Sequence, residues 1–284
     1  MRRNDRYRLL SISFVSIQFG LACSFAWGHS DVFLAQVGGK VAIGGANELG
    51  TVDEHFDLET RVFEGVMIPS FPPFAPADYG RDEPGFHALS RGHSALPAGV
   101  STLPAGAAVT VNLAPFLLGG ASDTLFYWDG SGAVSFQPAA VAQPGVAMSL
   151  DANTIGNAGI TGGLDLHPAF KLDNGGPGVP SDGAYLVAPI VSVTGLADSD
   201  RFFMLWLVDA LLVDEDAAEE LEESLEMGQT VVHGKDFGFF EEAVEFVRNN
   251  VVPEPSGAML GWLALAGLPA MMARRRYRLS GRIR

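Results

Sequence analysis

Two pairs of metal-ligating side chains stand two residues apart in the sequence: His29 with Asp31, and Asp165 with His167. If each pair lies on a strand, both of its members point to the same face, because side chains alternate along a strand. Should the two pairs meet, they would offer two imidazoles and two carboxylates, a donor set suited to zinc or a similar divalent cation. The sequence therefore predicts a candidate metal site, and no other cofactor is expected.

The favoured interpretation of the same residues needs no metal. In that interpretation Asp165 and His167 are ordinary hairpin residues and His29 is the frayed start of a processed chain. The acidic run 53–57 is a weaker candidate, and as a solvated loop it needs no ligand. Segments 151–153 and 173–176 resemble calcium loops but lack the spaced acids and the closing glutamate, so we expect plain turns there.

The chain carries none of the motifs that common enzyme chemistries require. It has no Gly-x-Ser-x-Gly elbow, no phosphate-binding loop, no His-Glu-x-x-His helix and no cysteine nucleophile in its middle part. Residues 90–94 form only a polar loop in this interpretation. We therefore predict a non-enzymatic protein, with an extracellular hydrolase of unrecognised type as the least favoured alternative.

The charge distribution separates the middle of the chain from its two ends. Of the 18 basic residues, ten lie in the terminal segments, whereas 31 of the 33 acidic residues lie between them. This acidic excess argues against nucleic acid as a partner, because phosphates need a basic surface. It suits a solvated surface, or one that meets divalent cations. The only cysteine, Cys23, falls in the N-terminal segment, so we expect the middle to fold without a disulfide.

The first 26 residues have the features of a signal peptide. Four arginines at positions 2–8 precede an apolar stretch over 9–26, and small residues at Ser24 and Ala26 form a signal-peptidase site. We predict cleavage before Trp27, with an uncleaved N-terminal anchor as the alternative. Lipidation of Cys23 is disfavoured, since a glycine stands where a lipobox needs leucine.

The C-terminal segment combines a proline motif, an apolar run and an arginine cluster. The motif is Val252, Pro253, Glu254, Pro255 and Ser256. Its prolines cannot continue a helix, because they lack the backbone donor and bias their predecessors to extended geometry. Residues 257–273 carry no charge and are just long enough for a transmembrane helix. The arginines that follow should stay on the cytoplasmic side; they are Arg274, Arg275, Arg276, Arg278, Arg282 and Arg284.

In this order the three features closely resemble the PEP-CTERM sorting signal of exported bacterial proteins. The resemblance covers residues 252–284. It implies that a membrane protease, exosortase, recognises the Pro-Glu-Pro element and processes the tail. It also implies a protein exported to the cell envelope, the cell surface or the extracellular space, inserted transiently or stably in the membrane by its C-terminal helix.

The middle of the chain reads as short strands separated by glycine turns, with a long ordered loop over 71–104. The expected strands are 29–37, 40–43, 108–113, 125–128, 133–136, 184–193 and 201–208. Gly38-Gly39 is expected to be a two-residue hairpin turn. This pattern predicts a mainly β fold, an antiparallel β-sandwich that is immunoglobulin-like or jelly-roll-like.

Two helices are predicted to close this part of the chain, over 214–229 and 237–249, each with apolar residues at helical spacing. We interpret them as an acidic stalk in preference to a partner-binding helix. The expected organisation is a signal peptide (1–26), a β-sandwich domain (27–212), a helical stalk (213–251) and a sorting signal (252–284).

Four segments of the middle occur in an order that is also recognisable: 125–130, 163–170, 182–187 and 195–202. They resemble a β-sandwich module of exported, surface-anchored bacterial proteins, including many PEP-CTERM proteins and the "choice-of-anchor" group. The central element of such modules often reads His-x-His, and here Asp165 takes the first position. The resemblance implies no catalytic activity. It implies a cell-surface or extracellular-matrix protein, with exopolysaccharide or envelope components as candidate partners and a metal- or ligand-binding surface module as the alternative function.

Overall fold

The computed structural model of the chain describes residues 30–47, 55–72, 74, 78–96, 98–173, 175 and 180–252. The expected signal peptide, the candidate membrane helix and the sorting signal after Val252 lie outside these residues. Among the described residues, no helix is both long and apolar enough to cross a membrane.

Strands dominate the described residues, which confirms the predicted mainly β class. In the first half the strands are β1 (Ser30–Val37), β2 (Lys40–Asn47), β3 (His55–Phe56), β4 (Val62–Pro69), β5 (Tyr79–Arg81), β6 (Phe86–Ala88), β7 (Ala108–Leu113), β8 (Phe116–Leu118), β9 (Ala121–Asp123) and β10 (Leu125–Trp128). There follow β11 (Gln137–Pro138), α1 (Ala139–Ala142), β12 (Met148–Leu150), β13 (Thr154–Asn157), β14 (Leu164–Leu166), β15 (Phe170–Leu172), β16 (Gly183–Val187) and β17 (Pro189–Val193). The last described elements are β18 (Phe203–Val208), α2 (Glu215–Glu226), β19 (Val231–Val232), β20 (Lys235–Asp236) and α3 (Gly238–Asn250).

Three sheets carry the fold. The largest has the order β11-β10-β16-β18-β4-β5-β15-β12, the second β14-β6-β1-β2-β3 and the third β13-β7-β17. The named strands pair in antiparallel fashion, as expected, except at two places: β18 pairs with β4 in parallel over six residues, and β1 pairs with β6 in parallel. Parallel neighbours need a long crossover connection, and here the connection from β4 to β18 contains every strand from β5 to β17.

The central strand β18 explains why the largest sheet is covered on both faces. All six of its residues are buried, so its sequence is an unbroken apolar run instead of an alternating one. Met204, Trp206 and Val208 face a core shared with the other two sheets. The alternate residues of β18 face a second core that includes helical residues. The largest sheet therefore lies between a layer of strands and a layer of helices.

The two C-terminal helices pack on this sheet, whereas the sequence suggested a stalk beyond it. Leu221 of α2 and Phe240, Val244 and Val247 of α3 are each no more than 1% exposed and belong to the same core as the sheet residues. Asp214 caps α2 by accepting a hydrogen bond from the Ala217 backbone N–H. The acidic face of α2 is solvated, as predicted, but its apolar stripe is a core element.

A buried ion pair fixes α2 to the sheet. The Arg81 guanidinium, whose side chain is 1% exposed, donates through Nη2 to Glu222 at 3.1 Å and to Glu83 at 3.0 Å. The other carboxylate oxygen of Glu222 accepts the backbone N–H of Val66 at 3.0 Å. Glu222 thus satisfies both a buried charge and a β4 donor.

A second ionic contact ties the hairpin β19–β20 to the sheet. The Lys235 ammonium donates to the buried Asp209 and, at 3.3 Å, to Asp182. Burial opposes the charge on Lys235, but the hydrogen bonds to Asp209 and Asp182 outweigh that effect, so the pKa of Lys235 is raised.

Several local expectations need correction. No strand forms over 133–136; Phe136 instead packs beside Trp128 and Phe246, with ring centroids 6.4 and 6.2 Å away. The expected strand 184–193 is broken at Ala188, so that β16 and β17 belong to different sheets. The expected loop 71–104 contains the short strands β5 and β6.

Candidate metal centre

The candidate site is built on three neighbouring strands, β14, β6 and β1, at one edge of the second sheet. Val32 of β1 and Leu166 of β14 both pair with Phe86 of β6. Asp31 and His167 are the next residues outward, on either side of Gly85. Asp165 precedes His167 by two positions and therefore points to the same face.

The structure brings together three of the four residues predicted as metal ligands. One ligand atom from each of Asp31, Asp165 and His167 lies within 4.8 Å of the other two. His167 Nε2 is 3.5 Å from Asp165 Oδ1 and 4.0 Å from Asp31 Oδ2. The predicted convergence of the Asp165–His167 pair with the start of β1 is therefore present for Asp31. His29 lies outside the described residues.

Gly85 has two roles at this site that the sequence did not indicate. Its backbone N–H donates to Asp31 Oδ1 at 2.7 Å, which fixes one oxygen of that carboxylate. A Cβ added to Gly85 would lie 2.6 Å from Cε1 of His167, closer than any side chain allows. The imidazole therefore lies over Gly85, and a larger residue at this position would require the exposed His167 side chain to move. A glycine before a short strand inside a predicted loop carried no recognisable signal of this use.

The site faces solvent on one side. The side chain of Asp31 is 17% exposed, that of His167 40% and that of Asp165 72%. Asp31 is held at the sheet, whereas Asp165 and His167 have room to adjust their rotamers. Chemically, the arrangement can bind a cation through one nitrogen and two carboxylate oxygens, or it can form ion pairs around a protonated His167.

His87 is a further titratable residue beside the site by register. It pairs with Asp165 on one side and with Phe33 on the other, so the three side chains share a face. The His87 ring stacks on Phe56 with centroids 5.5 Å apart, which directs it toward the aromatic residues covering this sheet.

The other sequence candidates have structural roles. In the acidic run 53–57, the described Asp57 carboxylate accepts the backbone N–H groups of Glu59 and Thr60, each at 2.7 Å, as in a tight turn. Asp151 accepts the N–H of Ala152 at 2.8 Å, as expected for a plain turn. Of the sorting motif, only Val252 is described, and it packs partly buried against the core that contains α3.

No known protein family, curated protein or solved structure matches this chain.

Proposed function

We propose that this chain is a non-enzymatic exported protein of the cell surface or extracellular matrix, delivered by its C-terminal sorting signal. The observation that carries the proposal is the order of three features over 252–284: Pro-Glu-Pro motif, uncharged apolar run and arginine cluster. The predicted signal peptide over 1–26 agrees with it. The part of the chain between the signal peptide and the sorting signal, residues 27–251, is called the body. In this proposal the body is a β-sandwich with a helical layer on its outer face, and an exosortase-like membrane protease is its processing partner.

The end of α3 supports a close approach of the body to the membrane. α3 reaches Asn250, and Val251 and Val252 still pack against the core. Only residues 253–256 separate this packed end from the apolar run, and four residues span at most about 14 Å. In the unprocessed protein the body would therefore sit at the membrane surface, with the Pro-Glu-Pro motif at the boundary where a membrane protease acts.

The charge of the body supports an extracellular role. Its acidic excess keeps a solvated surface and disfavours both nucleic acid and anionic membrane lipid as partners. Exopolysaccharide and other envelope components are the partners that remain consistent with such a surface. The absence of a cysteine after Cys23 means that folding outside the cytoplasm needs no disulfide formation.

The sorting proposal is tested by replacing Pro253 and Pro255 with alanine in a host that has the protease. Because the extended motif is then lost, we expect an unprocessed form that stays in the membrane fraction. The measurement is the intact mass of the protein in membrane and extracellular fractions. A matched control replaces two exposed prolines of the body, Pro115 and Pro144, and should be processed normally. Equal mass and distribution for the wild type and the motif variant would contradict the sorting proposal.

A second candidate function, divalent-cation binding by the body, is favoured by one observation. This is the convergence of Asp31, Asp165 and His167 on one face of the sheet.

A further inference from the structure

We propose that Asp31, Asp165 and His167 bind one divalent transition-metal ion, of which zinc is the type, and that this ion links β1 to β14 across β6. The inference rests on the cation-binding function named above and not on the sorting signal. It concerns the folded body alone, so it stands or falls whether or not the tail is processed.

The separations between the ligand atoms are slightly longer than those of a zinc site with the ion bound. In a tetrahedral zinc site with bonds of about 2.0–2.1 Å, neighbouring ligand atoms lie about 3.3 Å apart. His167 Nε2 lies 3.5 Å from Asp165 Oδ1 and 4.0 Å from Asp31 Oδ2. Changes of side-chain rotamer would shorten these distances, and Asp165 and His167 are exposed enough to make such changes without moving the backbone.

The donor set selects the class of ion. An imidazole nitrogen with two carboxylates suits zinc and similar first-row transition ions. Calcium requires six to eight oxygen ligands, which two aspartates and a histidine do not supply. The site is therefore expected to bind zinc in preference to calcium, in spite of the acidic surface of the body.

The position of Gly85 argues that the site is prearranged. Its N–H donates a hydrogen bond to Asp31 Oδ1, and the other oxygen of that carboxylate, Oδ2, lies 4.0 Å from His167 Nε2. The missing side chain at Gly85 lets the imidazole lie between the two strands. β6 makes only two residue pairs with β1 and three with β14. An ion at this point would therefore add a direct link between Asp31 on β1 and the pair Asp165 and His167.

Three protein ligands leave at least one coordination position directed to solvent. The exposed side of the site is formed by Asp165 and His167, so this position is accessible from outside the sheet. A water molecule or an external anionic or hydroxyl group can occupy it, which gives the surface module a means of contacting a ligand through the ion.

The test is calorimetric titration of the full chain, purified in a mild detergent with an affinity tag that contains no histidine. Zinc chloride should bind with a stoichiometry of one per chain, and calcium chloride should give no saturable heat. The variants His167→Gln and Asp165→Asn should each weaken zinc binding at least about tenfold, the scale on which even outer-shell substitutions act. Gly85→Ala should weaken it as well, since the added methyl group displaces the imidazole.

The matched control is His233→Gln. His233 also contacts a carboxylate, with Nε2 3.1 Å from Glu220, and its side chain is similarly exposed, but it has no second carboxylate in a metal-sized group among the described residues. This variant should bind zinc as the wild type does. Circular dichroism of each variant verifies that the β fold is retained, which is expected because the changed ligands are on the surface.

Three results would overturn the proposal. They are the absence of saturable zinc binding by the wild type, an unchanged affinity in both His167→Gln and Asp165→Asn, and an equal loss in His233→Gln. In any of these cases the cluster is a set of His–carboxylate ion pairs. None of these outcomes bears on the processing of the tail, so failure here is distinguishable from failure of the sorting proposal.

Discussion

The buried pair of Arg81 and Glu222 gives the sharpest prediction about stability. Glu222→Ala removes the carboxylate from the guanidinium and also leaves the Val66 N–H without its acceptor. Breaking a buried ion pair on one side costs about 3–5 kcal/mol. Arg81 keeps Glu83, which places the ionic part near the lower end of that range. The orphaned backbone donor adds about 1–3 kcal/mol.

Glu222→Gln separates the two contributions. The amide oxygen can still accept the Val66 N–H, but the negative charge beside Arg81 is lost and the amide –NH2 group, which cannot accept a hydrogen bond, takes the place of the oxygen that faced Nη2. We therefore expect Glu222→Gln to be less destabilising than Glu222→Ala by at most about 1–3 kcal/mol, the cost of the unsatisfied backbone donor. Replacing Arg81 by methionine together with Glu222→Gln removes the unpaired charge, and this double variant should recover part of the loss seen in Glu222→Gln.

The assay is urea unfolding of residues 27–252, monitored by tryptophan fluorescence. Thermal unfolding is a second measurement. A loss of about 4 kcal/mol corresponds to a fall in Tm of about 8–16 °C for a domain of this size. The control is Glu223→Ala, on the same helix but exposed, which should change the free energy of unfolding by less than about 0.5 kcal/mol. If Glu222→Ala is no more destabilising than Glu223→Ala, the ion pair does not hold α2 to the sheet.

Two further predictions follow from contacts on the sheets. Gly44→Ala should destabilise the body by at least the upper end of about 1–3 kcal/mol, because a Cβ there would lie 1.7 Å from the Asp57 carbonyl oxygen; Gly159→Ala, with an ordinary 3.4 Å contact, is the control in the same urea assay. The second concerns alkaline pH: because the folded pKa of Lys235 is raised, its contribution is complete below its unfolded pKa of about 10.4 and is lost as pH rises through the folded value. The stability difference between the wild type and Lys235→Met should therefore shrink between pH 9 and 12, and a difference that stays constant over that range would refute the role given to its contact with Asp209.

Local sequence patterns predicted the elements that depend on local chemistry. Gly38 and Gly39 both have positive φ, at 59° and 81°, and form the hairpin turn between β1 and β2 as expected. Strand β7 and the two C-terminal helices also lie where alternation and helical spacing placed them. These elements are set by turn residues and periodicity, which a single sequence displays directly.

The elements that were missed depend on tertiary pairing. β5 and β6 are only three residues long and lie among prolines and glycines, so no periodicity distinguishes them from a loop. The break after Ala188 coincides with Pro189, a residue that disfavours a continuous central strand, but the transfer of the chain to another sheet depends on the different partners of β16 and β17, which are β18 and β7. Long-range pairing of this kind outweighs local propensity.

The candidate site divides in the same way. The two-residue spacing of Asp165 and His167 correctly predicted a shared face, because strand geometry alone fixes it. Their meeting with Asp31 requires β6 to lie between β1 and β14, and that strand was not expected. The packing of the His167 ring over Gly85 joins two residues far apart in the chain and could not be deduced from the sequence.

The parallel pairing of β4 with β18 also governs how the chain must fold. Val62 meets Phe203 across a loop that contains every strand from β5 to β17, and closing so long a loop before its contacts form slows folding. Until then the run Phe203–Val208, which has no charge, proline or glycine, can pair with β16 on one side but leaves its other edge uncovered. Runs of this composition pair readily with copies of themselves. The strand that gives the native body its centre is therefore also the segment through which unfolded chains would aggregate.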